Sequence, residues 1–503
     1  MPPIIQLDKL YYINVGEHGT FQPSGEAAYD STYEHIDDIF KYLEAQDQKK
    51  LVLYFHGGLV GEDSGMDTAQ RITKYVKDNT TSHPVCFVWE TGLLETVRQN
   101  FDVIGDSPFF KKLLIKVVKI AGKMLGIEVA DFIGASKGVG NLTEEEINAE
   151  LSKEEPFKDY KVDPGKKSVN LVAVENMQDE EVIKLAIASE VEAEVEEEVY
   201  SDVAFQNLAL QPKPPEEERL MKGEHPAIED ATGKKGIILP ARLIISATKI
   251  TIAVIRRHVT KRNHGFYPTI IEEILREFYV ADIGTWAWGR MRDKARDMWN
   301  EDDFSGDPLD WHAGTYLLKK IVEYKKDHPD LIIDLVGHSA GSIAICELIK
   351  AVNERNIDLA FRNILFMAPA CRCELFAETI LKGPARFKNF RCFTMSDVYE
   401  IKDHLVPVLY PRSLLYLISG ILEERQNDAF ILGLQRHITG GKPYDKEPVL
   451  QSIMNFIKGD GRISYSVTGD DSTDGFRSTA LHHGDFDNDK EATLDSLMYL
   501  IKQ

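Results

Sequence analysis

The sequence predicts an α/β protein with a mostly parallel central sheet covered by helices and interrupted by a large, mainly helical insertion. In two parts of the chain, continuous apolar runs of strand length alternate with segments whose apolar residues recur at helical spacing. Continuous apolar strands are typical of a sheet that is buried on both faces, as parallel sheets are. Residues 93–309, between these two parts, instead carry separate blocks of acidic and basic residues.

The first part, about 1–92, contains three predicted strands and two predicted helices. The strands are LYYINV (10–15), LVLYF (51–55) and PVCFVW (84–89), and the helices are 31–46 and about 66–78. The same alternation returns in the second part, about 310–503. Its predicted strands are 331–336, 363–368, 390–395 and 463–467, and its predicted helices are about 313–326, 339–352 and 490–502. The two parts together are expected to form one core.

The insertion at 93–309 is expected to form a cap over the carboxyl edge of the sheet, where long insertions in such sheets usually lie. Residues 141–200 contain 18 acidic residues and six lysines, which is typical of a solvated surface or a mobile loop, and this acidic stretch extends over about 141–203. The flanking segments 109–126 and 241–263 are basic and contain no acidic residue.

Composition limits the classes of function. A chain of 503 residues with 43% hydrophobic content has room for two or three domains, and its net charge of −22 argues against nucleic-acid binding. The five cysteines are an odd number in apolar surroundings, which favours a reducing compartment. The first residues lack the basic and apolar regions of a signal peptide, so a cytoplasmic protein is expected.

A serine lies in the pattern G-x-S-x-G at Gly337-His338-Ser339-Ala340-Gly341, between a predicted strand and a predicted helix. A strand that reverses into a helix over five residues needs small residues on both sides of the turn, and the strained turn exposes the serine Oγ. The same pattern also occurs in ordinary glycine-rich turns, but its position here favours a nucleophile elbow. We therefore expect Ser339 to be a catalytic nucleophile.

Acyl transfer needs hydrogen-bond donors for the oxyanion that forms on the substrate. The N–H of Ala340, directly after the serine, is one expected donor because it begins the helix. The second is expected from Gly58 or Leu59, in the loop that follows strand 51–55. A glycine turn with a structural histidine, His56, is the alternative interpretation of this loop.

A serine nucleophile needs a histidine as proton acceptor and a carboxylate that orients the histidine. His483, before Gly484, is the favoured base because it follows the last predicted strand, and its neighbour His482 is the alternative. Asp403 is the favoured acid because it lies in the loop after strand 390–395, with Asp397, closer to the strand end, as the alternative. His56, His338, His404 and His437 are interpreted as structural, or as residues that support the site without contacting the substrate. The segment DFDND (485–489) does not match a calcium loop, and no metal or cofactor is implied.

Taken together, these motifs resemble serine hydrolases of the α/β-hydrolase superfamily, in the lipase and esterase branch. The resemblance covers about 1–92 and 310–503. The residues that carry it are His56-Gly57-Gly58, Gly337-His338-Ser339-Ala340-Gly341, Asp403 with Val406-Pro407, and His483-Gly484. It implies an α/β-hydrolase fold and an acyl-enzyme formed by a Ser339–His483–Asp403 triad. Two departures concern the substrate, because Leu59 replaces a third glycine and the cap matches no lid of the family.

The cap suggests what the substrate is. In segment 109–126, Lys112, Lys116, Lys119 and Lys123 follow one helical stripe opposite apolar residues. This pattern predicts either a packed cap helix or peripheral membrane contact through 109–126 and 241–263. The expected partner is thus a small ester or a lipid. Two alternatives to a soluble carboxylesterase or lipase stay open, a membrane-associated phospholipase or lipid hydrolase and a non-catalytic binding protein of the same fold.

Overall fold

The computed structural model describes ten ranges of the chain. These are residues 5–57, 61–89, 93–130, 136–174, 177–221, 238–279, 285–423, 428–459, 461–488 and 492–503. The strands in these ranges are β1 Tyr12–Asn14, β2 Lys50–Phe55, β3 His83–Val88, β4 Ile127–Ala130, β5 Ser136–Gly138, β6 Lys161–Val162, β7 Ile332–His338, β8 Phe361–Met367, β9 Phe387–Met395 and β10 Ile463–Ser466.

The α-helices are numbered in chain order in the same ranges. They are α1 Tyr33–Ala45, α2 Glu62–Asn79, α3 Leu93–Asp106, α4 Pro108–Leu125, α5 Glu144–Leu151, α6 Val169–Val174, α7 Glu180–Tyr200, α8 Val203–Leu210, α9 Pro215–Leu220, α10 Pro240–Val259, α11 Phe266–Phe278, α12 Thr285–Asp297, α13 Ala313–Asp327, α14 Gly341–Glu354, α15 Cys373–Phe376, α16 Asp397–Glu400, α17 Leu414–Leu417, α18 Gln435–Ile438, α19 Pro448–Ile457 and α20 Ala492–Lys502.

The chain divides into two compact units. The first consists of Met1–Glu95, Ala287–Asp403 and Phe430–Gln503, and the second consists of Thr96–Trp286 and His404–Ala429. The sequence predicts an insertion at 93–309 and a core that includes residues 404–429, whereas the second unit consists of 96–286 and 404–429.

The first unit contains a seven-stranded parallel sheet with the strand order β1-β3-β2-β7-β8-β9-β10. Its seven strands are the seven that the apolar runs predict, so the α/β class and the parallel sheet are confirmed. Along β2, Val52 and Tyr54 belong to one buried cluster with residues of α2 and α20. Leu53 and Phe55, which point to the other face, are buried as well. The sheet is therefore covered on both faces.

The second unit is mainly helical and also contains a small antiparallel sheet of strand order β5-β4-β6. Helix α10 packs against α4, α7 and α11. The acidic sequence 190–199 forms the second half of α7 rather than a loop. A buried stripe with a spacing of four residues explains why this charged segment is ordered, because it gives the helix an apolar face: Ile183, Ile187, Val191, Val195 and Val199.

The lysine stripe of α4 is paired with carboxylates of the same unit. Lys112 Nζ lies 2.6 Å from Glu144, and Lys116 Nζ lies 3.0 Å from Glu198. The remaining two lysines continue the ladder, Lys119 at 2.5 Å from Glu198 and Lys123 at 2.6 Å from Glu194. The acidic stretch and the basic stripe thus neutralise each other in this structure.

No helix in the described part of the chain combines the length and the apolar character needed to cross a membrane.

Candidate active site

Ser339 follows the last residue of β7 and precedes α14, as expected for a nucleophile elbow. Its φ of 48° lies in the left-handed region that residues with a Cβ rarely adopt. Two backbone hydrogen bonds hold this conformation, from the Ser339 N–H to the Met367 carbonyl at 2.8 Å and from the Ala370 N–H to the Ser339 carbonyl at 3.0 Å. The Ser342 hydroxyl donates to the same Ser339 carbonyl at 2.6 Å. Local strain is therefore fixed by neighbouring strands and by α14.

The packing around the two glycines of the motif, Gly337 and Gly341, leaves no room for a Cβ. A Cβ on Gly341 would lie 2.1 Å from the Phe55 carbonyl oxygen, and one on Gly337 would lie 2.9 Å from the carbonyl carbon of Gly341. Both contacts involve backbone atoms that cannot move away easily. The glycines thus allow α14 to begin directly against β2 and β7.

Ser339 lies at the point where the order of successive strands in the sheet reverses. In the strand order, β2 and β7 are neighbours that lead to opposite halves of the sheet, and ligands of open α/β sheets bind at such a point. The loop after β2 reaches Ser339 there, because a Cβ on Gly57 would lie 3.2 Å from the Ser339 Cβ. His56 orients this loop: its Nδ1 donates to the Gly57 carbonyl at 2.9 Å, and its Nε2 accepts the Trp89 N–H at 3.0 Å.

The structure brings Ser339 and His483 together. His483 Nε2 lies 2.8 Å from the Ser339 Oγ, and both side chains are buried. Burial and the nearby His338 lower the pKa of His483 to about 3, against an opposing effect of Asp487. His483 is consequently neutral near pH 7, so its Nε2 can accept the serine proton. The neighbouring His482 is instead mostly exposed and contacts Asp403.

Asp403 contacts the main chain of His483 and not its imidazole. One carboxylate oxygen accepts the His483 backbone N–H at 2.8 Å, and the other lies 3.0 Å from His482 Nδ1. The buried Nδ1 of His483 has no hydrogen-bond partner among the described residues. The alternative acid, Asp397, lies at the start of α16, where its N–H donates to Gln435 Oε1 at 2.8 Å. The structure therefore places Asp403 at the base loop without the side-chain contact of a complete triad.

Of the three expected oxyanion donors, the structure describes one. Ala340 is the N-cap of α14, and its N–H has no acceptor among the described residues, so it is available as a hydrogen-bond donor. Gly58 and Leu59 lie outside the described residues.

A buried polar network beside the base was not foreseen from the sequence. Asp487 accepts the Tyr54 hydroxyl at 2.8 Å and lies 3.3 Å from His338 Nδ1, and Arg71 donates to its backbone carbonyl. His338 Nε2 in turn lies 3.0 Å from the His483 carbonyl oxygen. The available signal was a histidine adjacent to the nucleophile together with an acid four residues after the base, but spacing alone does not show that they meet.

Among the described residues, no group of three or more histidine, cysteine, aspartate or glutamate side chains is arranged to hold an ion. Within DFDND, Asp485 caps the N–H groups of Leu481 and His482, and Asp487 belongs to the network above.

Comparison with protein-family models, with curated proteins and with solved structures finds no match to this chain.

Proposed function

We propose that this protein is a serine hydrolase of the α/β-hydrolase type that cleaves carboxylic esters through an acyl-enzyme. The observation that carries the proposal is the 2.8 Å hydrogen bond between the Ser339 Oγ and His483 Nε2. It occurs at a serine with φ 48° at the carboxyl end of a parallel strand, next to the first N–H groups of a helix. A serine, a neutral imidazole and free N–H donors are the groups that acyl transfer requires.

In the proposed reaction, the Ser339 Oγ attacks the ester carbonyl carbon while its proton passes to His483 Nε2. The negative charge on the substrate oxygen is stabilised by the Ala340 N–H and by a donor from Gly58 or Leu59. When the carbon–oxygen bond breaks, His483 returns the proton to the departing alcohol. A water molecule then attacks the carbonyl carbon of the acyl-serine while His483 accepts a proton from it. The bond between that carbon and the Ser339 Oγ breaks, His483 returns the proton to the Oγ, and the carboxylic acid leaves.

Asp403 contributes to this proposal through the position of the base. Its carboxylate holds the backbone N–H of His483 and therefore the loop from which the imidazole extends. Rotation of the same carboxylate toward His483 Nδ1 during the reaction would also stabilise the imidazolium that forms. The same groups cleave amides, thioesters and lactones, so ester cleavage is proposed from the lipase and esterase resemblance.

The second candidate is a non-catalytic binding protein of the same fold, and one observation favours it. Ser339 is 1% exposed and His483 is 8% exposed. A substrate must displace the residues that cover them before it reaches the Oγ. A protein that never opens in this way would retain the residues but not the activity.

A fluorophosphonate with a short alkyl chain separates the two candidates, because it is small and reacts with activated serines by displacement of fluoride. We expect the wild type to be labelled, Ser339→Ala not to be labelled, and His483→Gln to be labelled far more slowly. His482→Gln is the matched control, since it changes the adjacent histidine that does not contact Ser339, and it should keep most of the rate. Labelling of Ser339→Ala at the wild-type rate would refute the assignment. A folded but unlabelled wild type would favour the binding protein.

Hydrolysis of p-nitrophenyl esters of increasing acyl length then tests the substrate class. A preference for long chains favours a lipase, and turnover limited to short chains favours a carboxylesterase.

A further inference from the structure

We propose that His338 and Asp487 form a buried ion pair that positions His483, the proposed proton acceptor, against Ser339. The inference rests on the proposed function only where it names His483 as the proton acceptor. The geometry itself is independent of catalysis, because it concerns how two loops of the first unit are held together.

The hydrogen-bond partners of His338 determine its charge. Nε2 faces the His483 carbonyl oxygen at 3.0 Å, and Nδ1 faces the Asp487 carboxylate at 3.3 Å. Both partners are acceptors, so both ring nitrogens must carry a proton to satisfy them. Burial disfavours the charged imidazole, but Asp487 outweighs that effect and raises the pKa of His338. The two acceptors and the raised pKa together favour the imidazolium, which is the form that the proposal assigns to His338.

The surroundings of Asp487 favour its ionised form. It accepts the Tyr54 hydroxyl from β2 at 2.8 Å and lies 3.7 Å from the Arg71 guanidinium of α2. Burial opposes ionisation of Asp487, but His338 and these groups prevail and hold its pKa well below the usual range. Asp487 is thus held by β2 and α2 as well as by His338.

The His338–Asp487 pair connects the end of β7 with the loop after β10. His338 is the last residue of β7 and directly precedes Ser339, whereas Asp487 and His483 lie in the same loop after β10. The hydrogen bond from His338 therefore ties the backbone of the base to the backbone of the nucleophile. Because the imidazole of His483 has no partner at Nδ1 among the described residues, its position depends on its backbone and on Ser339. His338 and Asp403 hold that backbone at the carbonyl and the N–H, respectively.

The pair also affects the charge of His483. The rings of His338 and His483 are stacked with centroids 5.4 Å apart, so a positive His338 disfavours a second positive charge on the base. The other charged or titratable groups of the network are Asp487, Tyr54 and Arg71, and His56 lies in the adjacent loop. Of these, the negative Asp487 acts in the opposite direction to His338 on the base. Removing only the His338 charge should therefore make His483 more basic.

The test is an NMR titration of ¹³C-labelled histidine rings in the full chain, with His483 assigned from the spectrum of His483→Gln. In the wild type we expect His483 to stay neutral far below pH 6.5. His338→Gln keeps an amide donor for the His483 carbonyl but removes the charge, and we expect it to raise the His483 midpoint by about one pH unit or more. An unchanged midpoint in His338→Gln overturns the electrostatic part of the proposal.

The positioning part is tested by labelling rates with the fluorophosphonate. His338→Asn retains a donor toward Asp487 but is too short to reach the His483 carbonyl, so we expect it to label at least about tenfold more slowly than His338→Gln. Equal rates in the two variants overturn positioning. Asp487→Asn leaves His338 without its counter-ion, and Asp474→Asn, at an exposed aspartate, is the matched control. If Asp487→Asn fails to fold, the double variant His338→Gln/Asp487→Asn restores a neutral pair and should restore folding, whereas continued unfolding contradicts the ion pair.

The two proposals fail in different ways. An unlabelled wild type in which His338→Gln still shifts the His483 titration would remove the hydrolase and leave the ion pair. A labelled wild type in which His338→Gln does not shift the His483 titration would keep the hydrolase and remove the electrostatic part of the ion-pair proposal.

Discussion

Asp403 binds His483 through the backbone: its carboxylate accepts the His483 N–H at 2.8 Å, and the imidazole Nδ1 stays without a hydrogen-bond partner among the described residues. This arrangement divides two tasks that one carboxylate usually performs in a catalytic triad, positioning the histidine and stabilising its charge. In the structure, one Asp403 carboxylate oxygen contacts the His483 backbone N–H and the other contacts His482, which corresponds to the first task alone.

The first prediction concerns this carboxylate. Asp403→Asn keeps the size of the side chain and one acceptor for the His483 N–H but removes the negative charge. We expect near-native stability and a kcat for p-nitrophenyl ester hydrolysis that falls by up to about 10⁴-fold, because the imidazolium that forms loses the counter-charge that rotation of Asp403 toward His483 Nδ1 would supply. Asp397→Asn is the matched control and should cost much less. The reverse ranking of the two variants would transfer the role to Asp397.

The second prediction concerns the elbow. Gly341→Ala places a Cβ 2.1 Å from the Phe55 carbonyl oxygen, so α14 or β2 must shift. We expect a loss of roughly 1–3 kcal/mol in the free energy of unfolding, as for other overpacked sites, and slower labelling of Ser339. Gly441→Ala provides the control, because a Cβ at Gly441 meets nothing within 4 Å. Equal urea midpoints for the two variants would contradict the steric argument.

Strands such as β2 and β3 could be predicted from the sequence because they are apolar runs buried on both faces, which is a local property. The positions of Ser339 and His483 after their strands could also be predicted, because parallel strands bring their carboxyl ends to one edge. The network of Asp487 and His338 could not, since the two residues are far apart in sequence and only the fold brings them together. The acidic helix α7 is ordered because one apolar stripe of it is buried. This stripe is difficult to recognise in the sequence, because charged residues surround it.

The third prediction concerns acid stability. Burial, opposed by their backbone hydrogen bonds, lowers the pKa values of His56 and His83 to about 4 each. The unfolded chain binds these protons below about pH 6.5, while the folded chain does not, so stability falls as the pH is lowered from about 6.5 to about 4. Each histidine contributes a slope of up to about 1.4 kcal/mol per pH unit. The free energy of unfolding measured in urea between pH 7 and pH 4 should show this loss.

His83→Gln isolates one of these contributions. The amide can still donate to the Leu10 carbonyl, which His83 Nε2 contacts at 2.8 Å, but it does not titrate. We expect the variant to lose less stability per pH unit than the wild type. Parallel pH profiles for the two proteins would show that His83 is not a source of the acid sensitivity.

The last prediction concerns membrane contact through segment 109–126. Three of its lysines, Lys116, Lys119 and Lys123, contact Glu194 or Glu198, so anionic lipid must replace these carboxylates before it can attract the helix. Glu194→Gln/Glu198→Gln releases Lys119 and Lys123, whereas Lys116 keeps its contact with Asp202 at 3.1 Å. At about 1 kcal/mol for each lysine near an anionic surface, we expect this variant to co-sediment with anionic vesicles several-fold more strongly than the wild type, and salt should weaken the binding.

Glu192→Gln/Glu196→Gln is the matched control for that experiment. It makes the same change of net charge on exposed positions of the same helix α7, but it frees no lysine of the ladder. An equal gain in vesicle binding would mean that net charge alone is responsible. Absence of binding in every variant would identify the ladder as packing within the second unit, whereas a gain confined to Glu194→Gln/Glu198→Gln would support a lysine face that becomes available to a membrane when the acidic helix moves away.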